Sequence, residues 1–204
     1  MSTLEVNSIA PLSSSSDVTL GGSSKNIKFA SGTTVDFSTN SPTITGITQG
    51  ISEADNWRVT ADFTPSGLQV ISSNWERVDT DAQGYIGTGM TESSGIFTFP
   101  STGYYLVQFH AEASHTAFVQ YITAAIEVTT DNSSYDFAAD ANFHINTSGT
   151  RVYQTGSCIK IVDVTNTSNV KVRFAVQSAV AGCNIRGNSG STQTSAHFIR
   201  LGDT

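Results

Sequence analysis

The chain has little of the chemistry that most protein classes need. Lysine and arginine total 10 in 204 residues and the net charge is −7, so a phosphate backbone would be repelled rather than wrapped. The same acidity disfavours an anionic membrane surface, which leaves carbohydrate or protein as the expected partner class. Cysteine occurs only twice, at Cys158 and Cys183. Such a pair makes neither a disulfide framework nor a zinc site. The two read as small buried hydrophobes, with a single bridge between neighbouring strands as the alternative. No apolar run approaches the roughly 18 residues of a membrane span. Residues 1–5 show neither the basic nor the apolar region of a secretory signal, so the expectation is folding in a cytoplasm and release by lysis or as part of a particle.

What is present suits short strands and turns. Charged residues make up only 13% and hydrophobic residues 38%, with Ser, Thr, Asn and Gly filling the difference. That is too apolar for a disordered chain. Residues 1–50 carry isolated alternating doublets, Val18/Leu20, Ile27/Phe29 and Val35/Phe37, followed by Ile44 and Ile47. Each doublet is the apolar side of a very short strand. Strands so sparse cannot bury a core within one chain, and stacking on two further copies is the simplest remedy. The expectation is a trimeric β-stem, with a flexible Ser/Gly linker as the rival. Residues 51–66 lack that rhythm and read as a neck, with 51–57 as one helical turn.

From residue 67 onward the alternation lengthens. Tyr105, Val107, Phe109 and Ala111 share one face of a predicted strand, as do Phe118, Ile122, Ala124, Ile126 and Val128, and Val170, Val172, Phe174 and Val176. Turn signals at 131–134, 148–149, 166–169 and 187–190 separate the runs. Many strands with no long amphipathic helix predict an all-β antiparallel sandwich over residues 67–204.

The order of landmarks resembles the complement globular-head and tumour-necrosis-factor superfamily of trimeric jelly rolls. The resemblance rests on Gly95-Ile96-Phe97-Thr98-Phe99-Pro100-Ser101-Thr102-Gly103-Tyr104-Tyr105, preceded by Asn74-Trp75-Glu76-Arg77-Val78-Asp79. It continues through Thr155-Gly156-Ser157-Cys158-Ile159 and a closing Ser195-Ala196-His197-Phe198-Ile199-Arg200-Leu201. It covers about two-thirds of the chain and implies a homotrimeric jelly-roll knob. The N-terminal part is similar to β-structured stems of phage tail and head fibres, as in Ser31-Gly32-Thr33-Thr34-Val35-Asp36-Phe37. Together these imply a virion fibre whose knob meets a host-surface glycan or protein and whose N-terminus is held by a tail or capsid protein. A head fibre or decoration protein with no dedicated receptor is the second reading, and a polysaccharide-degrading fibre the third.

No catalytic constellation stands out. The histidines, His110, His115, His144 and His197, occur in no nucleophile-elbow or metalloprotease motif, and Gly84–Gly89 has no βαβ setting. Asp131, Asp136 and Asp140 lack the spacing and closing glutamate of a calcium loop and read as a solvated acidic loop. No metal and no cofactor is expected. Strand counting from residue 68 places 79–102, 131–134, 165–168 and 187–192 at the end away from the stem. The expected receptor contacts are therefore Asp131, Asn132, Tyr135, Asn166, Ser168, Asn188 and Ser189, with short polar side chains and an aromatic suited to sugars. Phe29, Phe37, Tyr104, Tyr121 and His197 are the expected trimer-interface residues. Phe97, Phe99, Tyr105, Phe109 and Phe174 are expected in the core, with Phe143 pointing away from it.

Overall fold

The computed structural model describes residues 50–80, 82–147 and 149–204, within a compact unit spanning Thr48–Thr204. The expected stem, with Phe29 and Phe37, lies outside the described residues. The described chain contains strands, turns and no helix. In order, these are β1 (Ala54–Val59), β2 (Ala61–Phe63), β3 (Gln69–Val70), β4 (Trp75–Arg77), β5 (Thr91–Ser93), β6 (Ile96–Thr98) and β7 (Gly103–His115). They continue as β8 (Val119–Thr129), β9 (Asp136–Ile145), β10 (Val152–Val164), β11 (Lys171–Ser178), β12 (Asn184–Asn188) and β13 (Ser195–Gly202).

Every pairing is antiparallel. The seven-stranded sheet runs β2-β12-β7-β13-β1-β4, with β10 laid along β7. The six-stranded sheet runs β5-β6-β11-β8-β9, with β3 on β11. Two antiparallel sheets packed face to face make the expected jelly-roll sandwich. Between them lies an aromatic cluster centred on Phe97, whose ring stands 5.4 Å from Trp57, 5.2 Å from Trp75 and 5.3 Å from both Phe174 and Phe198. Phe99, Tyr105 and Phe109 join the same core, as the periodicity predicts.

The Gly-to-Tyr segment has a physical reason for its residues. Gly95 sits at φ +81° where a Cβ would meet the Ile71 carbonyl oxygen, and Gly103 sits at φ +138° against Gly202 and Arg200. Only glycine fits both places. Tyr105 ends the motif by donating its hydroxyl to the Ser101 carbonyl at 3.1 Å, with Ser101 Oγ at 2.8 Å.

Four expectations are corrected. The neck, 51–66, holds β1 and β2, which belong to the sandwich, and 51–57 forms no helical turn. Its alternation is masked because Asp55 occupies an inward position. That carboxylate is buried, accepts from Trp57 Nε1 and Met90 N, and pairs with Arg77 at 3.0 Å. The stretch 79–102 is no simple connection, since it contains the β5–β6 hairpin that delivers Phe97 to the core. Phe143 packs against the core instead of pointing away, and Phe118, expected on the inward face, is exposed just before β8. The leading reading of the cysteines holds, since Cys158 and Cys183 are both buried and free. Burial pushes the Cys158 thiol up to about 11, which keeps it an unreactive hydrophobe.

Candidate functional site

Strand register fixes which side chains leave the sandwich. On β7 the odd residues Tyr105, Val107, Phe109 and Ala111 face inward, so Tyr104, Leu106, Gln108 and His110 face out. Opposite them β10 presents Asp163, Ile161, Ile159 and Ser157, and β13 presents Ile199, His197 and Ser195. Next to β13, β1 adds Asn56 and Arg58. The outcome is an apolar sheet face open to solvent, with Ile159 54% exposed, Ile161 56%, Leu201 54% and Tyr104 41%. Beside it, Tyr85 and Ile86 join Asn56, His197 and Ile199 around a hollow of about 560 Å³. The polar members of this face are mostly satisfied among themselves. Ser157 Oγ lies 2.7 Å from His110 Nδ1, and Ser195 Oγ lies 3.1 Å from His197 Nε2. Arg58 is only 1% exposed and pairs with Glu76 at 2.9 Å and Asp79 at 3.1 Å. The Asn56 side-chain oxygen is buried without a partner.

Of the expected interface residues, the structure brings Tyr104 and His197 onto this one face. Tyr121 is exposed on β8, in the other sheet, so it does not join them. Sequence reasoning missed Ile159, Ile161, Ile199 and Leu106. A signal for the first two was available: β10 is apolar on both sides, with Cys158, Val162 and Val164 buried and Ile159 and Ile161 exposed. A strand with apolar residues on both faces has something to cover on each.

The expected receptor loops are divided. The loops 131–134 and 165–168 meet, since Asn132 N donates to the Asn169 carbonyl at 3.0 Å. They lie at the end of the sandwich where β1 begins: Val164, at the close of β10, pairs with Gly103, and Arg200 N donates to the Glu53 carbonyl. Residue 50 is therefore at their end, not the opposite one. The missed strands β1 and β2 run in one direction, both parallel to β7, so together they add one crossing and put the strand count out of step. The loop 187–192 joins β12 to β13 and lies apart, because Asn188 pairs with Ala61. The polar side chains in these loops make their own turns. Asp131 Oδ1 accepts from Thr129 Oγ1, Ser133 N and Ser134 N at 2.8 Å each, and these bonds, led by the one from Ser134, hold its carboxyl below the usual range. Asn166 Oδ1 accepts from Ser168 N, and Asn188 Oδ1 from Gly190 N and Ser191 N. Ser189 is exposed. Tyr135 lies under the Arg173 guanidinium at 4.0 Å. Among the described residues no group of three or more His, Cys, Asp or Glu side chains is arranged to hold a metal ion, so Asp131, Asp136 and Asp140 do not gather.

The fold and this open face define a jelly-roll sandwich of the tumour-necrosis-factor type. Among solved structures it is similar to murine APRIL at pH 5.0, with a TM-score of 0.52 and 10% identity over 73% of this chain and 98% of that one. It is also similar to Eiger TNF from S. frugiperda, at 0.49 and 15% over 74% and 93%. At 10% identity the likeness to murine APRIL shows the fold alone. No protein-family model and no curated protein matches the sequence.

Proposed function

We propose that the chain is a non-enzymatic, homotrimeric phage virion fibre whose sandwich binds a host-surface glycan or protein during adsorption. The observation that carries the assembly is the uncovered apolar face of the seven-stranded sheet. Monomeric proteins rarely leave such a patch in water, and burying Ile159, Ile161, Ile199, Leu201 and Tyr104 between copies removes it. Three-fold packing with parallel subunits also gives the sparse doublets of 18–47 the partners that they lack in one chain. The N-terminal segment is the proposed attachment to a tail or capsid protein, and the virion is the proposed location. No nucleic acid, membrane insertion or cofactor enters this reading.

The receptor contact is proposed at the end of the sandwich opposite residue 50. That end is built from the loops 64–68, 116–118, 146–151 and 179–183, which close β2, β7, β9 and β11. It exposes Leu68 and Phe118, with Tyr121 close by on β8, and its loops contain no Asp or Glu although the chain carries 17. Aromatic and aliphatic side chains among Thr, Ser and Asn suit a sugar face or an apolar protein surface.

Light scattering on the intact chain at neutral pH tests the assembly. A mass three times the 21.6 kDa of one chain is expected, and a monomer mass overturns the trimer. Labelled antibody on intact particles tests the location, and Phe118→Ala with Leu68→Ser is expected to reduce adsorption to host cells while the mass stays unchanged. Label on the particle with unaltered adsorption would favour a structural fibre without a receptor.

A further inference from the structure

Two histidines stand on the face proposed to lie between copies. His110 on β7 is opposite Ser195 and His197 on β13 is opposite Gln108, so the imidazoles are one register step apart on neighbouring strands. The groups around them can be named element by element. From β10 come Ser157 and Ile159, from β1 Asn56 and Arg58, from β7 Gln108 and Glu112, and from β13 Ser195 and Ile199. Tyr85 and Ile86 share the hollow beside His197. Only Arg58 and Glu112 in this set are charged. Arg58 is a cation already committed to Glu76 and Asp79, and Glu112 stands 3.9 Å from Arg186. The one carboxylate in this set, Glu112, lies two residues from His110, and no carboxylate of the set adjoins His197.

We propose that assembly through this face is acid-labile: copies hold together while His110 and His197 are neutral and separate when they are protonated. This rests on the homotrimer reading given above. A proton placed on either ring puts a cation into an apolar contact beside the buried Arg58, and three copies contribute six such rings around one axis. Burial, and after it the neighbouring His110, already holds His197 below the ordinary imidazole range in a single copy. Covering the face with a second copy deepens that burial. A base whose pKa is lowered by assembly binds protons more tightly when the copies are apart. Association is therefore at full strength above the ordinary imidazole value, about 6.5, and weakens as the pH falls below it. Each unit of lowering corresponds to about a tenfold change per ring. At pH 5 the ordinary carboxylates remain ionised, so the window belongs to histidine.

The experiment is sedimentation velocity on the full chain over a dilution series at pH 7.5 and pH 5.0, with circular dichroism at both. The expected result is a trimer at pH 7.5 that at pH 5.0 dissociates at concentrations at least about tenfold higher, with the strand signal intact. The double variant His110→Gln/His197→Gln keeps hydrogen-bonding capacity without the charge and should behave at pH 5.0 as the unaltered chain does at pH 7.5. Should the double variant misfold, His197→Gln alone should recover part of the loss. A monomer at pH 7.5 overturns the trimer reading itself. A trimer equally tight at both pH values, or an acid loss that the variants retain, overturns acid lability and leaves the trimer standing.

Discussion

The two sheets share one core yet present opposite outer faces. The six-stranded sheet covers its outside with partnered polar groups. Arg173 pairs with Glu127 at 2.5 Å and stacks on Tyr135, Thr123 donates to Asn142 at 2.7 Å, and Asn142 donates to Asp140 at 2.8 Å. Phe137 and, near one end, Tyr121 are its exposed large apolar residues. The seven-stranded sheet does the reverse, with an outer row of Ile161, Leu106 and Ile199 beside Ile159 and Tyr104. An antiparallel sheet needs one apolar face to pack and one polar face to meet water. The first sheet follows that rule, and the second carries an apolar strip across its outer face as well. The difference marks the surface proposed to lie between copies without reference to any relative.

The largest expected effect comes from breaking the apolar side of that contrast. Ile159→Asp with Ile161→Asp places two carboxylates on the face, and burying an unpaired charge costs several kcal/mol. The variant is expected to run as a folded monomer at concentrations where the unaltered chain is a trimer, since both side chains point away from the core. Phe137→Asp, the counterpart on the other sheet, should leave the mass unchanged. If the first variant stays trimeric, or the second dissociates, the faces have been assigned the wrong roles.

A smaller effect is expected on the polar side. Glu127 is nearly buried and Arg173 is half-covered by Tyr135, so Glu127→Gln leaves a guanidinium with a weakened partner. A loss of about 1–3 kcal/mol in unfolding free energy is expected from urea denaturation, with no change in oligomeric mass. A change of mass without loss of stability would mean that this face, too, meets another copy.

The sequence made the inward half of this contrast plain and the outward half only partly so. β7, β8 and β11 fall within a few residues of the predicted runs, because apolar alternation states directly which side is buried. β1 escaped because Asp55 sits at a core position, held by Arg77, Trp57 and Met90 from elements distant in sequence. Long-range ion pairing of that kind leaves no local pattern. Its omission then misplaced the loop ends, since β1 and β2 both run in the direction of β7 and add a single crossing, which reverses the end given to every later loop. Tyr104 and His197 were legible as outward residues by parity. Asn166 and Asn188 looked like ligand contacts because turn formation and sugar binding recruit the same side chains, and only the hydrogen bonds separate the two uses.

The smallest expected effect lies in the turn that joins β8 to β9 on the polar sheet. Asp131 is exposed, and its carboxylate gathers Ser134 N, Thr129 Oγ1 and Ser133 N into one turn. Those bonds hold its pKa below the ordinary carboxylate value, first through Ser134. A lowered carboxylate pKa in the folded chain means that the unfolded chain takes up the proton more readily. The contribution is therefore complete above the unfolded value, about 3.9, and is lost as the pH falls through it toward the lower folded value. Asp131→Ala should lower the melting temperature slightly at pH 7, and the difference from the parent should shrink below about pH 4. The comparison is best made in the His110→Gln/His197→Gln background, where the oligomeric state is expected to stay constant as the pH drops. A difference that persists unchanged at pH 3 would show that the turn is held by the side chain's shape, with its charge contributing nothing. The connection between β8 and β9 would then owe its order to packing.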